Sequence, residues 1–264
     1  MENLTVTLIQ PDLAWEDKKQ NLEKFETHFR ELKGKQDLLV LPEMFSTGFV
    51  VDPKLIAETV TGPTMVWLSE QSSILGCVIM GSLVIEEDNH YYNRLVWMEP
   101  DGKYSTYDKR HLFRFGNEHL TFSSGEKKLV VNLKGWKIAP LVCYDLRFPV
   151  WSKNTFRDDN YEYDLLIYIA NWPGRRSYAF RQLLIARAIE NQSYVIGVNR
   201  VGEDGKGIMH QGDSAVLNFK GKHIVEIPPD VEDIETVTLD YQKLMEFREG
   251  FKVGLDWDEF EIKV

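Results

Sequence analysis

The stretch that decides the fold runs from Trp136 to Pro149 and reads WKIAPLVCYDLRFP. Its first half predicts an apolar strand that delivers Cys143 to a sharp turn. Pro149 then opens a short helix, because proline fits a first helical turn, where its missing N–H is not needed. The free N–H groups and the dipole at a helix start favour a thiolate and a developing oxyanion nearby. Cys143 is therefore a candidate nucleophile, although a lone cysteine is more often a small buried hydrophobe.

The length and composition of the chain fit one large α/β domain. The sequence has 264 residues, of which 43% are hydrophobic, enough for a well-buried core. Because no long linker and no low-complexity tract divides it, we expect a single domain over residues 1–264. The two cysteines, Cys77 and Cys143, cannot build a disulfide framework, and Cys77 lies in an apolar run typical of core.

The charge of the chain limits its classes of partner. A net charge of −10 argues against binding to nucleic acids and to anionic membranes. The first ten residues resemble a strand rather than a signal peptide, and no uncharged apolar run reaches transmembrane length. We therefore expect a cytoplasmic protein. Basic residues do gather at 109–114 and 175–187, and such clusters are either solvated faces or a site for a small anion.

Apolar runs and helical spacing alternate along the chain, which predicts a mixed sheet, or two sheets, covered by helices. Hairpins are indicated by turn sequences such as Pro100-Asp-Gly102. The predicted strands cover residues 4–9, 37–41, 77–85, 92–98, 103–107, 128–133, 136–142, 165–170, 194–199, 214–218, 223–227 and 235–239. The predicted helices cover residues 17–32, 63–75, 178–191 and 241–251.

Three reactive side chains come just after predicted strands: Glu43, Lys109 and Cys143. A strand end holds a group rigidly while leaving its tip in a crevice. The chemistry of the three is complementary, because Glu43 is a base for the thiol and Lys109 a cation for a developing oxyanion, with the Tyr144 N–H as second donor. A structural interpretation stays open, in which Glu43 and Lys109 are an ion pair at the sheet rim and Cys143 is core.

Two other motifs are weaker. His111, Glu118 and His119 suggest a metal site, but they lie on an irregular segment without the tight helical spacing of zinc enzymes. The glycine-rich segment 202–207 lacks the spacing of phosphate-binding loops, and its acidic pair would repel a phosphate. We interpret it as a plain hairpin loop.

Longer motifs identify a family resemblance. The segments LPEMF at 41–45, YDKRHLF at 107–113 and VCYDLRFP at 142–149 resemble the nitrilase (carbon–nitrogen hydrolase) superfamily, in family order. The segments RAIENQ at 187–192 and GDS at 212–214 are similar to later family blocks. The resemblance implies a four-layer αββα sandwich with two mixed β-sheets flanked by helices, and a homodimer paired through helices next to the nucleophile.

The resemblance also implies roles for single residues. Glu43 is the general base, Lys109 the oxyanion stabiliser and proton donor, and Cys143 the nucleophile. Many family members have a second glutamate seven residues before a loop glycine, which at Gly125 gives Glu118 as the orienting carboxylate. An amide would be hydrolysed through a thioester, without a metal or an organic cofactor.

Within the superfamily the chain most resembles the omega-amidases, which hydrolyse the terminal amide of 2-oxoglutaramate and 2-oxosuccinamate. The matching segments are PEMF at 42–45, DKRHLFR at 108–114, VCYDLRFPVWS at 142–152 and ANWP at 170–173. The alternatives are another amidase or a carbamoylase with the same triad, and a non-catalytic binding module, although such modules usually lose a triad residue.

A substrate of this kind carries a carboxylate, which an arginine fork binds well. A further arginine, Arg147, more often braces Asp145 or a neighbouring chain after such a turn. The candidates for the carboxylate are Arg114, Arg175 and Arg176, and those for the pocket wall are Phe45, Tyr144 and Trp172.

Overall fold

The helices and strands come from a computed structural model, which describes residues 1–32 and 34–263. The α-helices are α1 (Lys18–Glu31), α2 (Pro63–Leu75), α3 (Pro149–Ser152), α4 (Ser177–Asn191) and α5 (Tyr241–Gly250). The strands are β1 (Leu4–Gln10), β2 (Leu38–Val40), β3 (Val78–Glu87), β4 (His90–Met98), β5 (Tyr104–Asp108), β6 (Val131–Leu133), β7 (Trp136–Val142), β8 (Phe156–Arg157), β9 (Asn160–Tyr161), β10 (Leu165–Ile169), β11 (Tyr194–Val198), β12 (Val201–Glu203), β13 (Met209–Gln211), β14 (Ala215–Leu217), β15 (His223–Glu226) and β16 (Asp233–Leu239).

The strands of the described residues form two six-stranded mixed sheets. The order of the first sheet is β16-β1-β2-β3-β4-β5, and that of the second sheet is β15-β14-β11-β10-β7-β6. In each sheet three central strands are parallel, β1, β2 and β3 in one and β7, β10 and β11 in the other. Antiparallel strands extend both sheets at their edges. The expectation of two mixed sheets is therefore confirmed.

Apolar side chains hold four layers together. Residues of both sheets, such as Leu8 and Leu141, share one buried cluster. Phe25 and Trp67 attach α1 and α2 to the outer face of the first sheet. Phe180 of α4 packs in the cluster that contains the second sheet. This arrangement confirms the predicted αββα sandwich.

Local sequence signals set the ends of the helices. The Asp17 side chain accepts a hydrogen bond from the Gln20 N–H at 2.9 Å and so caps the start of α1. Pro63 begins α2, which ends where Gly76 takes a left-handed conformation with φ of 63°. Both helices lie within one residue of their predicted bounds.

Two small antiparallel ribbons, β8–β9 and β12–β13, have no counterpart among the predicted strands. Their strands have two or three residues each, too few for an alternating pattern to be recognised. The β12–β13 hairpin contains the glycine-rich segment 202–207, in agreement with its interpretation as a hairpin loop. Among the described residues, no helix has the length and apolar character needed to cross a membrane.

Candidate active site

The two sheets bring the three strand-end side chains together. Glu43 follows β2 and Lys109 follows β5; these strands run in the same direction, since β3 and β5 are each antiparallel to β4 and β2 is parallel to β3. Cys143 follows β7 of the second sheet, which packs on the first. The structure therefore places a carboxylate, an ammonium and a thiol at one edge of the sandwich.

Lys109 lies between two glutamates in a site closed to solvent. Its Nζ is 2.8 Å from Glu43 Oε1 and 2.9 Å from Glu118 Oε2. All three side chains are at most 1% exposed. Burial alone would lower the pKa of Lys109, but the carboxylates of Glu118 and Glu43 outweigh it and raise the pKa above its ordinary value. The surroundings of Lys109 therefore favour its charged ammonium form.

Glu118 points into the site. It lies at the start of a 3₁₀ turn, Glu118–Leu120, and also accepts hydrogen bonds from the Phe113 N–H at 2.6 Å and from Asn93 Nδ2 at 3.2 Å. Burial raises the pKa of Glu118; the Lys109 ammonium opposes this rise and the Glu43 carboxylate adds to it. The structure thus brings Glu118 to Lys109, as the family spacing predicts.

Two asparagines that the sequence analysis did not identify hold Glu43. Asn93 Nδ2 donates to Glu43 Oε1 at 2.7 Å, and the Asn171 N–H donates to Glu43 Oε2 at 2.8 Å. The side-chain amide of Asn171 also donates to the Glu43 carbonyl. Asn171 follows the predicted strand 165–170, so the signal that selected Glu43 also applies to it. Asn93 lies inside a strand, where a polar residue gives no such signal.

The surroundings of Cys143 favour its neutral thiol form. Its backbone has φ of 45°, a left-handed conformation that is strained for a side chain other than glycine. The thiol faces the Glu43 carboxylate and the Asn171 N–H. Burial, followed by the Glu43 charge, raises its pKa well above the ordinary value. The segment Cys143–Arg147 is a 3₁₀ turn, and α3 begins at Pro149, as predicted. The raised pKa favours the thiol, and not the thiolate that a helix start was expected to favour.

Asp145 connects the segment around Lys109 to the segment around Cys143. Its Oδ1 accepts from the His111 N–H at 2.9 Å and lies 2.8 Å from His111 Nδ1. Its Oδ2 accepts from the Tyr107 hydroxyl at 2.8 Å and from the Val142 N–H at 3.1 Å. His111 thus faces Asp145 while Glu118 faces Lys109, and no group of three or more metal-ligating side chains is found within residues 1–32 and 34–263.

A cavity of about 150 Å³ opens above the thiol. Tyr144 and Trp172, predicted as walls, line it, and so do the predicted arginines Arg175 and Arg176. The β12–β13 hairpin contributes part of the rim, which its sequence did not indicate. The other lining residues outside the catalytic cluster are Phe49, Val51, Phe113, Phe115, Gly116, Arg147, Pro173, Asp204, Lys206, Ile208 and His210.

Phe45 and Arg114 do not reach this cavity. Phe45 is fully buried between the first sheet and its helices, with its ring centroid 5.6 Å from that of Phe25. The left-handed conformation of Met44, φ of 44°, redirects the chain directly after Glu43. Arg114 lines a separate surface groove with Arg110 and His119. The expectations that Phe45 walls the pocket and that Arg114 meets the carboxylate are therefore not met.

Arg147 lies at the cavity instead of bracing Asp145. Its Cζ is 4.8 Å from the centroid of the Trp172 ring, and the Asp145 oxygens already accept hydrogen bonds from other donors. Arg176 lies over Phe113 and Phe115, 5.2 Å and 5.0 Å from the ring centroids. Within the described part of the chain, Arg147, Arg175 and Arg176 have no carboxylate at ion-pair distance, which leaves three cations free for an anionic ligand.

Known proteins are similar to this chain in sequence and in structure. The carbon-nitrogen hydrolase family model matches residues 5–249. Omega-amidase YafV of Escherichia coli (strain K12) is 41% identical over 263 residues, covering 99% of this chain and 100% of that protein. 2-Oxoglutaramate amidase of Bacillus subtilis (strain 168) is 30% identical over 253 residues, covering 94% and 95%. A crystal structure of a CN-hydrolase superfamily protein from Xanthomonas campestris, with an arsenic adduct in its active site, has a TM-score of 0.96 and 44% identity, covering 100% of both chains.

Proposed function

The chain belongs to the carbon–nitrogen hydrolase family, and we propose that it is an omega-amidase that hydrolyses the terminal amide of a 2-oxo dicarboxylic acid monoamide such as 2-oxoglutaramate or 2-oxosuccinamate. One observation carries this proposal. A buried cluster of Glu43, Lys109 and Glu118 beside Cys143 lies under a cavity whose mouth has unpaired arginines. The cluster suits amide cleavage, and the arginines suit a substrate carboxylate.

The first half-reaction forms a thioester. The Cys143 thiol attacks the amide carbon, and Glu43 accepts its proton as the sulfur–carbon bond forms. The Lys109 ammonium stabilises the oxyanion, with the Tyr144 N–H as second donor. The carbon–nitrogen bond then breaks and the departing nitrogen takes the proton from Glu43, so that ammonia leaves. Glu118 keeps the Lys109 ammonium in position throughout.

The second half-reaction releases the acid. Glu43, which has given up its proton, removes a proton from a water that attacks the thioester carbon. The carbon–sulfur bond breaks, and the sulfur receives the proton, which restores the neutral Cys143 thiol. The products are the 2-oxo dicarboxylic acid and the free enzyme. The raised pKa of Cys143 makes the thiol, rather than the thiolate, the resting form to which the cycle returns.

The substrate carboxylate binds at the mouth of the cavity. Arg175 and Arg176 follow β10 on a 3₁₀ turn, and Arg147 approaches from the turn after Cys143. A guanidinium fork binds a carboxylate through two parallel N–H···O bonds. The aromatic rings of Phe113 and Trp172 support these guanidinium groups from behind.

We further propose that residues 1–264 act as one catalytic domain and that two copies form a homodimer through α3 and α4. Exposed apolar side chains support this second proposal. Val150 of α3 is 56% exposed, and Tyr178 and Ile189 of α4 are 72% and 54% exposed. At 100° per residue, Tyr178 and Ile189 lie on the same face of α4.

The deciding experiment is a measurement of ammonia release from 2-oxoglutaramate, beside glutamine, asparagine, a carbamoyl amino acid and a simple nitrile. We expect rapid turnover of the 2-oxo amide alone, and a loss of at least about 10³-fold in Cys143→Ala with an unchanged circular dichroism spectrum. Activity on another compound only would keep the thioester chemistry and reject this substrate. Inactivity on every compound would favour a binding module, and substantial activity of Cys143→Ala would reject the mechanism.

A further inference from the structure

We propose that this cavity discriminates between the amide substrate and its own acid product by charge, so that the dicarboxylate product is bound weakly and leaves without inhibiting the enzyme. The inference rests on the proposed function and extends it to how the same site distinguishes substrate from product. The substrate is negative at one end and neutral at the other, whereas the ionised product is negative at both ends. The two molecules otherwise have nearly the same size.

The floor of the cavity, lined by Glu43 and Lys109 with Glu118 behind Lys109, has an excess of negative charge. Two carboxylates, Glu43 and Glu118, face one ammonium, Lys109, with N···O distances of 2.8 Å and 2.9 Å. With both glutamates and the lysine ionised, the three side chains together carry one net negative charge, and each of them is at most 1% exposed. The carboxylate that hydrolysis creates is formed on the carbon that was bonded to Cys143, directly beside Glu43. It therefore meets a like charge with little water to screen it.

The mouth of the cavity has the opposite character. Three arginines and Lys206 line it against the single carboxylate of Asp204, and none of the arginines, Arg147, Arg175 and Arg176, forms an ion pair within residues 1–32 and 34–263. Burial, then the neighbouring charges of Arg175 and Arg147, lowers the pKa of Arg176. An additional negative charge is therefore favourable at the mouth, where the substrate carboxylate binds.

The raised pKa of the Cys143 thiol agrees with this distribution of charge. Burial and then the Glu43 carboxylate raise its pKa well above the ordinary value, and the Lys109 ammonium only partly opposes this rise. An added negative charge beside an ionised Glu43 is therefore unfavourable. A product carboxylate would lie beside this sulfur and beside Glu43. The amide has no charge there and avoids this repulsion, while both molecules keep the favourable contact with the arginines. The discrimination therefore comes from the floor alone.

Inhibition of the unmodified enzyme provides the first test. In 2-oxopentanoate a methyl group replaces the second carboxylate of 2-oxoglutarate, and both have a five-carbon chain. With 2-oxoglutaramate as substrate, we expect the Ki of 2-oxoglutarate to be at least tenfold higher than that of 2-oxopentanoate. A dicarboxylate that inhibits as tightly as the monocarboxylate, or more tightly, would overturn the inference while leaving the amidase activity itself established.

Direct binding to a variant that cannot turn over provides the second test. In Cys143→Ala, calorimetry should give a Kd for 2-oxoglutarate at least tenfold above that for 2-oxoglutaramate. Adding Glu118→Gln removes one negative charge at nearly constant volume, and we expect this ratio to fall at least fivefold. Adding Arg114→Gln, in the separate groove, should leave the ratio unchanged.

The outcomes of the second test separate the two proposals. A ratio near one in Cys143→Ala, or a ratio that Glu118→Gln leaves unchanged in a folded protein, would overturn the charge discrimination. If neither molecule bound and 2-oxoglutaramate were not a substrate, the proposed function would fail and the inference with it. Circular dichroism checks that each variant is folded, and the inhibition test needs no variant.

Discussion

Arg176 is the residue whose surroundings most directly indicate how the substrate carboxylate is bound. Its guanidinium lies over Phe113 and Phe115 and has no ion pair in the described part of the chain. A hydrogen bond to a charged group contributes about 2 kcal/mol, equivalent to about thirtyfold in affinity. We therefore predict that Arg176→Gln raises the KM for 2-oxoglutaramate about thirtyfold and changes kcat less than threefold, which steady-state kinetics would measure.

Arg114→Gln is the matched control for this change. Arg114 belongs to the same predicted set of arginines but lines a groove outside the cavity. Its replacement should alter KM less than twofold. Equal effects of the two variants would indicate a general electrostatic attraction of the substrate rather than a contact with Arg176.

At the scale of elements, Asp145 joins two strand ends that belong to different sheets. Its four hydrogen-bond contacts fix the segment after β5, which positions Lys109, against the turn after β7, which positions Cys143. Asp145→Asn replaces one acceptor oxygen by a donor. We predict a loss of about 3 kcal/mol in the free energy of unfolding and at least a tenfold loss in kcat, measured by urea unfolding and by ammonia release.

A second buried aspartate separates positioning from stability. Asp164 accepts hydrogen bonds from Arg248 at 2.6 Å and from the Lys137 N–H at 3.0 Å. It precedes β10 and therefore lies at the edge of the second sheet opposite to Cys143. Asp164→Asn should cost similar stability without lowering kcat. If both variants lost activity equally, the effect of Asp145 would be one of stability alone.

The site residues that could be predicted are those that a local sequence signal marks. Glu43, Lys109 and Cys143 each come after an apolar run, and a strand end is a local property of the sequence. The partners of Glu43 are different, because Asn93 is 50 residues and Asn171 is 128 residues away along the chain. Contacts of that separation are made only when both sheets are assembled. The direction of Phe45 likewise depends on the left-handed backbone of Met44, which no apolar pattern indicates.

At the scale of the whole molecule, the layer order was predictable for two separate reasons. Alternating strands and helices indicate sheets covered by helices, and the family motifs imply four layers. The pairing order β16-β1-β2-β3-β4-β5 did not follow from either, since β16 joins β1 from the far end of the chain. The polar residues of β16 do not indicate which strand it pairs with. Long-range pairing is determined by the packed sandwich, and not by either strand alone.

The proposed homodimer is the last property at this scale. It would cover one outer layer of helices and leave the other outer layer exposed. If α3 and α4 form the dimer interface, an added charge there should separate the copies, because a buried unpaired charge is costly. We predict that the unmodified protein sediments as a dimer at micromolar concentration and that Tyr178→Glu shifts it toward the monomer. Tyr178 is 72% exposed in a single copy, so this change should not disturb the fold.

Ile74→Glu on α2, in the opposite outer layer, is the control, since Ile74 is 74% exposed. A monomeric unmodified protein, or equal dissociation by both variants, would contradict the predicted interface.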